Sequence, residues 1–172
     1  MVCVESDHAP LVVIGYGNEL RRDDGAGVVF ARAITETWTK MGQPVHLLTE
    51  MQLLPEMAAA LANGEVRAVV FVDAAVPSDA NGIKITRLDL DSPSASLGHQ
   101  VTPETLLVYA ALLYGRYPQA WQVTIPGVDF DHGEGLSPEV LHLLDEVDHV
   151  AATLLADIKE EVPCMNLLLP SE

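Results

Sequence analysis

The sequence predicts one domain of the α/β class, a three-layer sandwich with a twisted, mostly parallel five-stranded sheet and helices on both faces. Three observations carry this. Short apolar runs ending in glycine, proline or a charge read as strands, and stretches of helical periodicity lie between most of them. The chain has 172 residues, the length of one domain with one buried core. Strands that alternate with helices pack as a parallel sheet with right-handed crossovers.

The first strand is 11–16, LVVIGY, an aliphatic run that ends at glycine. Ala26, Val29, Phe30, Ala33, Ile34 and Trp38 then recur at helical spacing, which predicts a helix over 24–40. A second strand covers 45–48. Pro55-Glu56 opens a second helix through Met57, Ala60 and Leu61, and Asn63-Gly64 stops it. Residues 67–72 form a third buried strand ending at Asp73, and 82–88 alternates like a more exposed fourth. Residues 89–98 have three serines and no periodicity, and read as a surface loop leading to His99. Thr102-Pro103-Glu104 carries a cap, a first-turn proline and an acid at the positive end of the next helix. A fifth strand covers 121–125 and closes at Pro126-Gly127. Ser137-Pro138-Glu139 repeats the helix-start signal before a final helix with Val140, Leu143, Leu144, Val147 and Leu154. The ends, 1–10 and 160–172, are expected to be flexible.

Composition excludes several classes. Nine basic against twenty-five acidic residues give a net charge of −16, which repels nucleic acid and anionic membrane surfaces. The longest apolar runs fall short of the ~20 residues that cross a bilayer. The N-terminus has no basic region of a secretory signal. Cys3 and Cys164 stand near opposite ends and build neither a disulfide framework nor a zinc knuckle. A cytoplasmic protein acting as a monomer, with neither nucleic acid nor membrane as partner, is expected.

Functional groups of an open α/β sheet gather at the carboxyl ends of its strands. That rim receives the turn 17–24 after the first strand, Asp73 after the third and Pro126-Gly127 after the fifth. The turn is not a dinucleotide site: GxGxxG would need glycine where Leu20 stands, and Asp23 and Asp24 would repel a pyrophosphate. No Walker A pattern occurs. Taken alone, Asp23 can cap the helix and Asp24 complement its dipole. Asp73 follows five apolar residues, so its charge needs a partner, a metal or the amides of its own turn. His99 is either a solvated loop histidine or the nitrogen donor of an O,O,N site with two carboxylates, a set that suits nickel or zinc. His8, His46, His142 and His149 are weaker candidates. His132 lies in the acidic, glycine-rich loop 129–135, which reads as a flexible connector on the same rim. No Gly-x-Ser-x-Gly elbow, His-Glu-x-x-His helix or catalytic cysteine with a nearby histidine is present.

Four separated motifs, IGYGNELRRDDGAG, FVDAAV, GHQVTPETLL and IPGVDFDHGEGLSPEV, resemble in order and spacing those of the [NiFe] hydrogenase maturation endopeptidases. The resemblance runs over 11–155. It implies a protease that removes a C-terminal extension from the precursor of a hydrogenase large subunit once nickel is in place. It further implies that Asp24, Asp73 and His99 recognise that nickel, which the precursor supplies; zinc or cadmium is expected to be able to occupy the same donors. Some relatives carry glutamate at the position of Asp24. MQLLPE, residues 51–56, resembles the segment of members that serve bidirectional, NAD(P)-linked hydrogenases. Asp23, Asp24 and Asp73 are the carboxylates available to activate water. One alternative stays open at this point, a chaperone or checkpoint protein that binds the same nickel precursor without cutting it; a nucleotide-binding domain is disfavoured by Leu20 and the paired acids.

Overall fold

Each predicted strand forms, because each can bury apolar side chains on one or both faces of a shared sheet. The computed structural model describes residues 9–77, 82–90 and 101–160; Cys3, His8, His99 and Cys164 lie outside them. The strands are Leu11–Tyr16 (β1), Val45–Glu50 (β2), Ala68–Ala75 (β3), Lys84–Leu88 (β4) and Gln119–Pro126 (β5). Their order across the sheet is β2-β1-β3-β5-β4, and only the edge strand β4 runs antiparallel to its neighbour. No helix among the described residues is long and apolar enough to cross a membrane.

The helices are Ala26–Lys40 (α1), Met57–Leu61 (α2), Pro103–Tyr114 (α3), Pro138–Leu143 (α4) and Val147–Glu160 (α5). Strand alternation divides the core in two. Leu11, Val13, Val70 and Val72 meet Phe30 and Ile34 of α1 and Leu154 and Ile158 of α5 on one face. Val12, Ile14, Val69 and Phe71 meet Leu61 of α2 and Leu106 and Leu107 of α3 on the other. The buried Trp38 indole N–H donates to the Ala151 carbonyl at 2.9 Å, which ties α1 to α5.

Several strand ends shift by one or two residues from the sequence reading, and three boundaries differ with consequence. β3 continues through Asp73 to Ala75, because β5 pairs with it as far as Ala75 opposite Pro126. The helix expected from 24 starts at Ala26, after a 3-10 turn Arg22–Gly25, and its N-cap Gly25 offers no side chain, so Asp23 does not cap α1. The final helix is broken by a 3-10 turn, Leu144–Glu146, between α4 and α5. Both predicted caps are present: Thr102 Oγ1 accepts from Thr105 N at 3.2 Å and Ser137 Oγ from Val140 N at 3.3 Å.

Candidate functional site

The chain leaves β1 towards β2 by way of α1, on one face, and returns from β2 to β3 past α2, on the other. The carboxyl ends of β1 and β3 therefore flank the topological switch point, where open α/β sheets form their ligand crevice. Tyr16 ends β1 and Asp73 lies near the end of β3, one step beyond the pairing of Gly15 with Val72. Tyr16 shares a face with Val12 and Ile14, and Asp73 with Val69 and Phe71, so both side chains project on the α3 side.

There the Tyr16 phenol faces the Asp73 carboxylate, and Ala74 N donates to Asp73 Oδ1 at 2.8 Å. Burial dominates and raises the Asp73 carboxyl to about 6, with the Asp24 charge adding to it, while the Ala74 N–H and the polar Tyr16 hydroxyl pull it down. Burial also raises the Tyr16 phenol, helped by the negative charges of Asp73 and Glu104, so Tyr16 stays a neutral donor. Asp24 is half-buried, and its Oδ2 accepts from Asn18 N at 2.9 Å. The turn thus holds its own acid against its backbone and presents it to Asp73.

Two glycines make this approach possible. Gly17, at φ +137°, lies so close that a Cβ there would land on the Asp24 carbonyl oxygen. A Cβ on Gly27 would strike the Tyr16 carbonyl oxygen, lie 2.6 Å from the Val72 carbonyl and 3.0 Å from Asp73 Cα. Gly27→Ala is expected to push α1 off the ends of β1 and β3 and to cost about 1–3 kcal/mol, read by urea unfolding. Unchanged stability would mean that α1 can retreat without loss.

Asp23 takes a different direction from its neighbour. It is fully buried (0% exposed), and its carboxylate accepts from Val128 N and Asp129 N at 2.9 Å, Ser137 N at 2.7 Å and Ser137 Oγ at 2.8 Å. Burial alone would raise its pKa, but the donors of Ser137, Asp129 and Val128 together hold it below the usual carboxylate range. The loop 129–135, read from sequence as a flexible connector, is fastened with its flanks, over 127–137, to the first turn. Arg22 N donates to Gly133 O at 3.0 Å, Gly133 N to Leu20 O at 2.9 Å and Asp23 N to Asp129 O at 3.0 Å. Arg22 Nη1 pairs with Asp129 Oδ2 at 3.0 Å, and Arg22 itself sits at φ +47°, a left-handed conformation held by these bonds.

Of the sequence candidates, Asp24 and Asp73 lie on one rim within electrostatic reach of each other, Asp23 turns inward, and His46, His132, His142 and His149 are exposed. His99 lies outside the described residues, among which no group of three His, Cys, Asp or Glu side chains converges. Tyr16 and Ser137 are the functional-site residues the sequence reading missed. The signal for Tyr16 was available: in a parallel β1–β3 pair, period-two alternation sets it beside Asp73 on one face.

Fold and site together define a class: an open α/β sheet with two aspartates on the rim at its switch point and a carboxylate-anchored loop beside the first of them. No family model and no curated protein matches the chain by sequence. Solved structures do match it in fold. The hydrogenase maturating endopeptidase HybD from E. coli superposes with a TM-score of 0.62 at 17% identity, covering 91% of this chain and 97% of that one. The [NiFe] hydrogenase maturation protease HycI from Thermococcus kodakarensis KOD1 gives 0.62 at 21% identity, over 91% and 96%. An endopeptidase from E. coli, solved in solution, gives 0.61 at 20% identity, over 91% and 96%. The fold of this chain is the fold of these proteins.

Proposed function

We propose that the chain is a maturation endopeptidase, of the hydrogenase-processing family its motifs resemble, that removes a C-terminal extension from the nickel-loaded precursor of a [NiFe] hydrogenase large subunit. The observation that carries this reading is that Asp24 and Asp73 lie on one rim, at the β1–β3 switch point, near enough for the Asp24 charge to act on Asp73, in a fold shared with named maturation proteases. Both residues stand at the motif positions that the resemblance assigns to nickel recognition.

In this reading nickel is cargo of the precursor. Asp24 and Asp73 offer it two carboxylate oxygens and His99 an imidazole nitrogen, a mixed set that suits a borderline divalent ion. Docking the ion docks the peptide attached to it, which places the scissile bond at the crevice. Hydrolysis then forms a bond from water oxygen to the carbonyl carbon and breaks the C–N bond, while the water proton passes by a carboxylate to the leaving amine. In this reading Asp24 and Asp73 are the carboxylates that carry that transfer. Asp23, with both oxygens engaged by four donors, holds the frame and takes no part in proton transfer.

The test compares nickel-loaded with nickel-free precursor, followed by mass spectrometry of the released peptide. Cleavage of the loaded form only is expected. Equal cleavage of both would remove nickel recognition, and stoichiometric binding with no loss of mass would replace the protease by a non-cleaving chaperone.

A further inference from the structure

A groove of about 310 Å³ lies between the first turn and the segment 134–136, and Gly25, next in sequence to Asp24, lines it. Its apolar lining is Leu20, Val29 and Leu136. Leu20 is 59% exposed. Glu19, Arg22 and Glu134 supply its charged lining. The arginines nearby are committed, Arg22 to Asp129 at 3.0 Å and Arg32 to Glu19 at 3.0 Å, whereas Glu134 makes none of the ion pairs among the described residues.

Both walls are already fixed. Leu20 O accepts from Gly133 N at 2.9 Å, Arg21 bridges to Gly133, and Ser137, next to Leu136, is held by the buried Asp23. A groove held open in this way binds at a reduced ordering cost, and volumes of a few hundred Å³ suit one large side chain and its neighbours.

We propose that this groove is a specificity subsite that takes one aliphatic side chain of an extended protein segment, with a lysine or arginine beside it facing Glu134. The apolar lining selects the first residue. The free acid, on a chain of net charge −16, selects the second. The proposal deepens the endopeptidase reading and rests on it, since the segment would belong to the precursor whose nickel meets Asp24, one residue from the groove-lining Gly25.

The experiment titrates the full-length chain, labelled with nitrogen-15, with a capped hexapeptide carrying a central leucine followed by lysine, and follows amide shifts by NMR. Saturable shifts centred on Leu20, Val29, Gly135 and Leu136 are expected. Replacing the peptide leucine by serine, or Leu20→Asn in the protein, should weaken the dissociation constant about 10-fold. Glu134→Lys should reverse the preference, so that a peptide with glutamate in place of lysine binds better. Absence of shifts, shifts insensitive to Leu20→Asn, or equal binding of the lysine and glutamate peptides would each overturn the proposal. A concentration-dependent dimer abolished by Leu20→Asn would overturn it in favour of a second copy of this chain. Peptide binding with no cleavage of nickel-loaded precursor would leave the groove standing and remove the endopeptidase, and cleavage without peptide binding would do the reverse.

Discussion

Asp73→Asn is expected to abolish processing of the nickel-loaded precursor and, in the same protein, to raise its stability. The carboxylate is one of the two on the rim of the crevice, and losing a group that both holds the ion and can carry the proton should lower the rate about 100-fold or more. Its stability effect has the opposite sign. Burial raises the Asp73 carboxyl to about 6 in the folded chain, above the ~3.9 of an unfolded aspartate. Between those values the folded state binds more protons than the unfolded one, so stability falls as pH rises through them, and the full cost is present at pH 7. Asparagine is isosteric, keeps an acceptor for Tyr16 and Ala74 and carries no charge. A gain of about 1–3 kcal/mol at pH 7, disappearing below pH 4, follows, read by thermal unfolding of the metal-free chain. An active Asp73→Asn protein would end the assignment of this carboxylate; an inactive one with lowered stability at pH 7 would contradict the cost ascribed to its burial.

Asp23→Ala is expected to have the largest effect on the fold itself, about 3–5 kcal/mol of destabilisation, because it empties a fully buried position and strands the part-buried N–H groups of Val128, Asp129 and Ser137 together with the Ser137 hydroxyl. Here the folded pKa is lowered. The contribution is therefore fully present above about pH 4, the range of an unfolded aspartate, and is lost as pH falls further through the folded value. The difference in unfolding free energy between wild type and Asp23→Ala should shrink correspondingly in acid. A pH-independent difference would show that the carboxylate charge is not what holds the loop. Asp23→Asn tests the same point without a cavity, since its amide must turn a donor towards one of the donors that Asp23 accepts from.

Apolar runs and helix starts located the strands and α3 from sequence alone, because burial and capping are decided by neighbours a few residues apart. The rim followed from chain order, and with it the proximity of Asp24 and Asp73. Asp23 was a different problem. Two adjacent acids of the same type diverge, one to the crevice and one to the interior, and what turns Asp23 inward is Ser137, 114 residues further on. No local pattern encodes that contact. The break between α4 and α5 was also hidden, since Leu143, Leu144 and Val147 keep helical spacing across it. The antiparallel edge strand β4 was legible only as a more polar alternation, not as a reversal of direction.

The fastening of the first turn by the segment 127–137 sets the order in which the molecule can be finished. Residues 11–28 leave the ribosome early, but the acid that pins them has none of its donors until residues 128–137 have been made, and chain growth of about 5–20 residues per second separates the two by seconds. Until then Asp23 is an unpaired carboxylate at the edge of a growing apolar sheet, and it stays in water. The crevice is therefore assembled from the first and last parts of the domain at once, so a truncated or stalled product carries the acidic turn without a finished site.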